Sequence, residues 1–488
     1  MSLRPSDFRA IRLGIAEIPG DVSSDAVGHY APKLEDMFAP ETHAAALDPS
    51  TPIVVGSRGT GKSFWAGVLG QGATKKDAAK AYPKLRLQDV NVYFGFTGIG
   101  GSDGIGADAL NSIVPENADL ATAKAFWWAT VLRAAARSNG NTSAKLSDLA
   151  TVGSNWEARD IELERHEQRL RAANQTLLIV YDALDTVATN WPRRRLITEA
   201  LLEVVWATRA YRSIKLKVFV RPDQIDDDGL RFVELPKLRT GAVRLMWSGL
   251  DLYGLLYARL ALAKDEVAKI AFRKLLKSEG IPTVVRDEVL TRNWSLCHDV
   301  AEQTKIMTSL AGQYMAAGTY GYKKGKTYDW PLTHLADALD EVTPRSFIGL
   351  LIAAAKHGSA PDNWAITPDG IRHGLRAASK TRVDQLHQEF PWIKAVLAPL
   401  AGLLLPSEDS AVFKAWKQSK TIQLLIQDAA TNNYLLPFSN QDRQSERELF
   451  EALNRIGVMF RRKDDRIDMP DLFRVAAKLL KKGATAPL

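Results

Sequence analysis

Gly56-Ser57-Arg58-Gly59-Thr60-Gly61-Lys62-Ser63 decides the fold of this 488-residue chain. Glycine holds the first and sixth places, lysine and a hydroxyl residue follow, and the stretch lies between a short apolar run, Ile53-Val54-Val55, and a helical pattern over 62–69. Strand, glycine-rich loop and helix in that order build a phosphate cradle. Consecutive backbone N–H groups wrap the oxyanions, glycine permits positive φ angles and close approach, and the helix N-terminus points its dipole at the anion. ATP with Mg2+ is the ligand expected, contacted by Gly56 through Ser63 and by Phe64. Lys62 is expected to reach the β- and γ-phosphates as a point charge, and the Ser63 hydroxyl to ligate the metal.

Further along, Leu177-Leu178-Ile179-Val180-Tyr181-Asp182 is an apolar strand that ends in a carboxylate. A buried parallel strand delivers such a residue to the crevice where ligands bind, and Mg2+ is a hard ion that takes oxygen. Asp182 is therefore the metal-side candidate. Asp185, three residues on, has two readings: a group that orients or deprotonates the attacking water, or a helix N-cap. Val218-Phe219-Val220 ends in Arg221-Pro222-Asp223, so Arg221 is either a sensor of bound nucleotide or a surface arginine paired with Asp223 or Asp226. Thr343-Pro344-Arg345-Ser346 reads as a helix start, with Arg345 a second sensor, a trans-acting finger or a surface residue.

β-like runs at 53–55, 90–96, 177–181, 216–220 and 242–247 alternate with helical segments such as 121–137 and 196–210. The fold class predicted is α/β: a P-loop NTPase parallel sheet with helices on both faces. After Trp247 the pattern turns helical (250–263, 267–276, 299–317, 332–339, 346–356 and 371–390), which reads as an all-α lid. A loop over 318–330, with glycines, tyrosines, Lys323, Lys324 and Lys326, interrupts it and is expected to be exposed. The tail reads as a winged helix: helix 447–456, short strands 458–461 and 467–469, helix 471–480. The expected division is an N-terminal arm (1–50), the P-loop core (51–250), the helical lid (251–400) and a winged-helix-like domain (401–488).

Composition agrees with a folded interior: 46% of residues are hydrophobic and 25% charged. The most apolar run, 395–405, contains Pro399 and is too short to span a bilayer, and residues 1–18 lack the continuous apolar segment of a secretory signal. No membrane contact and a cytoplasmic location are expected. A single cysteine, Cys297, excludes an internal disulfide and a cysteine-based metal cluster, and reads as a buried small hydrophobe. The net charge of +8 is a weak pointer to polyanions. Four basic clusters, Arg193-Arg194-Arg195, Lys323-Lys324-Gly325-Lys326, Arg461-Arg462-Lys463 and Lys481-Lys482, read first as solvated faces and second as phosphate contacts.

The loop at 56–63, Tyr181-Asp182-Ala183-Leu184-Asp185, the strand ending in Arg221-Pro222-Asp223 and the stretch 247–260 together resemble bacterial STAND, KAP and AAA-type P-loop ATPases of the ASCE class, over residues 50–360. The Asp-x-x-Asp form is similar to the STAND and KAP branch, and 343–347 resembles the sensor-2 region that opens the lid. The resemblance implies an ATP-hydrolysing switch of the kind found in phage-defence and conflict systems, acting as a homo-oligomer or on a separate effector protein. A DNA-binding motor or regulator that works through the winged helix is the alternative.

Overall fold

The computed structural model describes residues 3–19, 32–101, 104–188, 191–227, 229–438 and 444–487. The chain divides into two compact units, one of residues 22–246 and one of residues 1–21 together with 247–488.

In the first unit five strands, β1 (Ile53–Val55), β2 (Val90–Phe96), β3 (Thr176–Tyr181), β4 (Ile214–Val220) and β5 (Val243–Arg244), form a parallel sheet in the order β2-β3-β4-β1-β5. Leu177 through Tyr181 are all buried, as a central parallel strand requires when both faces are covered. Alternation separates the faces. Ile53, Val55, Leu177, Ile179, Tyr181, Val218 and Val220 join one core with the apolar sides of α2 (Leu120–Ser138) and α4 (Trp191–Thr208). Val54, Leu178, Val180 and Phe219 are buried on the other face. The helix that follows the glycine loop, α1 (Lys62–Gly70), and α3 (Trp156–Ala172) complete the layer set.

Register fixes what emerges at the C-terminal edge. Val55 lies opposite Val220, and Tyr181 opposite Val218, so Gly56 leaves the sheet level with Arg221, and Asp182 at the same edge two residues earlier, level with Phe219. β4 separates the loop strand from the Asp182 strand. Tyr181 is locked there by a hydrogen bond of 2.8 Å between its hydroxyl and Thr130. Its ring fills the place of a side chain at Gly95, where a Cβ would stand 2.3 Å from the ring.

The second unit is helical, with Gly249–Ala261, Glu266–Ser278, Val300–Ala311, Pro344–Lys356 and Pro368–Glu389 among its longer elements. The helix expected over 299–317 stops at Ala311, where Gly312 takes φ +80°. Helix Pro5–Ala16 packs in this unit, with Asp7 2.8 Å from Lys274 and Arg12 donating to the carbonyls of His357 (2.7 Å) and Gly358 (2.9 Å). The first fifty residues thus divide between the two units. Helix Glu446–Arg455 is followed by the antiparallel pair Phe460–Arg461 and Ile467–Asp468. The helix expected over 471–480 runs only through Asp471–Arg474. Buried Arg474 donates to the carbonyls of Leu479 (2.9 Å) and Thr485 (2.8 Å), which reverses the chain, and Leu480–Lys481 then pairs with Leu404–Leu405. Cys297 is buried, and burial pushes its thiol up to about 12. Among the described residues no helix is long and apolar enough to cross a membrane.

Candidate nucleotide site

The loop after β1 is shaped by its glycines. Gly59 and Gly61 take φ +87° and +105°, and a Cβ on Gly56 would stand 2.4 Å from Thr60 Oγ1. Thr60 is buried and donates to the Ser57 carbonyl at 2.8 Å, which closes the turn. Lys62 opens α1 and folds back over the loop, its Nζ 2.7 Å from the Gly56 carbonyl and 3.2 Å from that of Ser57. The ammonium is thereby held in the mouth of the cradle. Arg58 and Phe64 are half-buried, Phe64 edge-on to Trp65 at 5.2 Å.

Ser63, the second residue of α1, stands near enough to the Asp182 carboxylate at the end of β3 to favour its charged form. Burial pushes the Asp182 carboxyl above the usual carboxylate range. The Ser63 hydroxyl, the Ala183 N–H and the Lys62 charge pull it back, while Asp185 adds to the rise. An oxygen pair of this kind fits Mg2+, which keeps most of its shell as water and phosphate oxygen and needs only one or two protein ligands. Among the described residues no cluster of three or more His, Cys, Asp or Glu offers a metal site of another kind.

Directly after Asp182, Ala183 takes φ +57° and caps the short turn Leu184–Thr186. Asp185 lies inside that turn, not at its cap, and is exposed. It faces Arg221, whose guanidinium is buried, 3.6 Å from Asp185 and in a two-pronged bond to Asp223 at 3.0 and 2.9 Å. Arg221 therefore bridges the Asp182-x-x-Asp185 segment and the tip of β4. Arg345 is carried by the second unit, in the first turn of helix Pro344–Lys356, whose cap is the Thr343 side chain.

Three residues that shape the site carry no local motif. Arg194, in the first turn of α4, donates to the Ala188 carbonyl at 3.0 Å. Burial lowers its guanidinium and the Arg221 charge lowers it further, while Asp223 and Asp185 support it. Its neighbours are equally committed: Arg193 to the carbonyls of Pro115 and Val114, Arg195 to Asp227 at 2.8 Å. The cluster 193–195 is not a solvated face. His43, from the arm, accepts the Trp65 indole N–H at 3.0 Å on Nδ1 and donates Nε2–H to the Met246 carbonyl at 3.0 Å, so α1 is fastened from behind. Burial pushes this imidazole down to about 4, with the Met246 bond opposing. Lys217, on the arm-facing side of β4, donates to the carbonyls of Ala46 (2.8 Å), Asp48 (2.9 Å) and Thr51 (2.7 Å).

No protein-family model matches the chain, and no curated protein matches it. Among solved structures it is similar to Cdc6p from Pyrobaculum aerophilum, at 11% identity and a TM-score of 0.29 over 92% of this chain and 93% of that one. It is also similar to the ORC2 protein of Aeropyrum pernix, solved in ADPNP–ADP complexes, at 12% identity and a TM-score of 0.39 over 93% of each chain. Superpositions this loose carry no argument. The fold rests on the strand order and on the loop between β1 and α1.

Proposed function

We propose that this chain binds ATP with Mg2+ and hydrolyses it as a molecular switch, in a bacterial defence or DNA-associated complex of the kind the sequence resemblance implies. The observation that carries the proposal is the glycine loop with Lys62 folded over it, 2.7 Å from the Gly56 carbonyl, beside an Asp182 carboxylate whose charge Ser63 and Lys62 both favour. Three residue types that this chemistry requires, from two separate strands, meet at one edge of the sheet. In this reading the loop N–H groups and Lys62 take the phosphates, while Ser63 and Asp182 hold Mg2+, which neutralises charge on the phosphate oxygens when bound. Asp185 orients or deprotonates the attacking water. Arg221, poised between Asp185 and Asp223, reports whether the γ-phosphate is present, and Arg345 serves as a second sensor or as a finger toward another subunit.

Nucleotide titration and steady-state ATPase assays on the wild type, Lys62→Ala, Ser63→Ala and Asp182→Asn test the reading. Loss of a charge-assisted bond worth about 1.5–3 kcal/mol predicts that Lys62→Ala weakens nucleotide binding roughly tenfold or more. Equal affinity in all four proteins sinks the site. The DNA-binding alternative gains nothing from the pair of short strands near the C-terminus. Arg461 is paired with Asp409 at 2.8 Å, Arg466 with Asp464 at 2.6 Å, and Arg462 stands 3.5 Å from Asp468.

A further inference from the structure

Of the four basic clusters in the sequence, three have their cations committed in whole or in part. Arg193 and Arg194 go to backbone carbonyls and Arg195 to Asp227; Arg461, Arg462 and Lys481 go to carboxylates. Lys323, Lys324 and Lys326 differ. All three are exposed, and among the described residues none has a carboxylate within salt-bridge distance. The sequence holds no acidic residue between Glu302 and Asp329.

The segment that carries them is a built loop. Its base is an antiparallel bridge between Tyr314 and Lys326, reinforced by Met315 N–H to the Gly325 carbonyl (2.9 Å), Thr327 N–H to the Gln313 carbonyl (3.1 Å) and the Arg372 guanidinium on the Met315 carbonyl. Gly318 and Gly325 reverse the chain at φ +86° and +88°, and a Cβ on Gly321 would stand 2.2 Å from the Ala316 carbonyl oxygen. On this frame Tyr320 and Tyr322 are 68% and 56% exposed, an unusual investment of aromatic surface in water. Lys323 Nζ lies 4.6 Å from the centre of the Tyr320 ring.

We propose that the Tyr320-Gly-Tyr322-Lys323-Lys324-Gly-Lys326 loop is a binding site for single-stranded nucleic acid, with the tyrosine rings stacking unpaired bases and the three ammonium groups following the phosphates. Aromatic platforms interleaved with free cations are what a strand with exposed bases requires. A duplex hides its base faces and uses only the lysines, and so does an acidic peptide. A lipid surface calls for an apolar face of Trp, Phe or Leu to insert, and the tip from Gly318 to Lys326 has none of these. The site lies outside the nucleotide machinery, so the proposal stands or falls independently of ATP hydrolysis.

The test is fluorescence anisotropy of the full chain with a labelled oligothymidine, across a salt series, beside a duplex of equal length and anionic vesicles. The wild type binds the single strand in preference to both competitors. Tyr320→Ala with Tyr322→Ala weakens binding about tenfold or more, since each stacked base contributes substantially. Lys323→Gln, Lys324→Gln and Lys326→Gln together reduce the log–log salt slope by about 2, at roughly 0.7 per phosphate contact. Basal ATP turnover and thermal melting stay at wild-type values in both variants. Absence of oligonucleotide binding by the wild type overturns the proposal, as does unchanged affinity in either variant, or a preference for duplex or vesicle. Should the lysine variant fold poorly, Lys324→Gln alone is used, with a slope change of about 0.7 expected and no change refuting.

Discussion

Lys217 offers a quantitative test of how the arm is fastened to the sheet. Burial pushes its amine down to about 7, with the Asp48 charge opposing, whereas an unfolded lysine titrates near 10.4. The folded value lies below the unfolded one, so between these limits the unfolded chain binds more protons, and native stability rises with pH. The penalty of the buried charge is complete below about pH 7 and fades as pH climbs toward 10. For values of about 7 and 10.4, linkage gives a gain of roughly 2 kcal/mol between pH 7 and pH 9. Lys217→Met removes this titration while keeping the stem in place, so the wild type should gain that amount relative to the variant. Hydrogen-exchange protection of peptides spanning β4, corrected for intrinsic rates, reads the difference within the first unit. A wild-type-minus-variant difference that stays flat from pH 7 to 9 would refute the reasoning. It would mean that the three carbonyls at 2.7–2.9 Å hold the ammonium at its ordinary value.

His43 acts in the same direction but in the acid window. Its folded value of about 4 lies below the usual 6.5, so the stability it contributes is present above pH 6.5 and lost as pH falls toward 4; His43→Asn should flatten the acid limb of nucleotide affinity, and an unchanged limb counts against the bond to Trp65. Asp185→Asn should retain ATP binding while turnover falls at least tenfold, because Asn keeps the shape without the basicity; wild-type turnover would leave Asp182 as the working carboxylate of the segment. Gly95→Ala forces a methyl to within 2.3 Å of the Tyr181 ring and should cost about 1–3 kcal/mol in a melting experiment, with weakened nucleotide affinity as Asp182 shifts. A neutral Gly95→Ala would show that the ring moves freely.

The loop, β3 and β4 were legible because each is a local pattern: a fixed glycine spacing, or an apolar run ended by a charge. Their adjacency at one sheet edge follows once the strands are parallel. Lys217 was not legible, since Ile214-Lys215-Leu216-Lys217-Val218 has the alternation of a half-solvated strand, and only the arm returning over β4 buries its second lysine. Arg194 and His43 were hidden for the same reason, their partners lying in segments whose approach no local spacing announces. The helix expected over 471–480 was lost to a tertiary contact, the burial of Arg474 under Thr485. Arg345 was legible as a helix start, which is where the structure has it.

The position of β4 between β1 and β3 sets which changes of length the chain tolerates. Side chains alternate between faces, so one residue inserted in β4 would turn Lys217 into the core against α2 and α4 and swing Val218 toward the arm. It would also move Arg221 by about 3.3 Å relative to Asp185 and the glycine loop. The exposed loops between elements carry no such constraint, because lengthening a surface loop adds only a slowly growing entropic term. Insertions should therefore be tolerated in the exposed loop 139–143 that follows α2 while β4 keeps its seven residues, which makes that strand the ruler of the site.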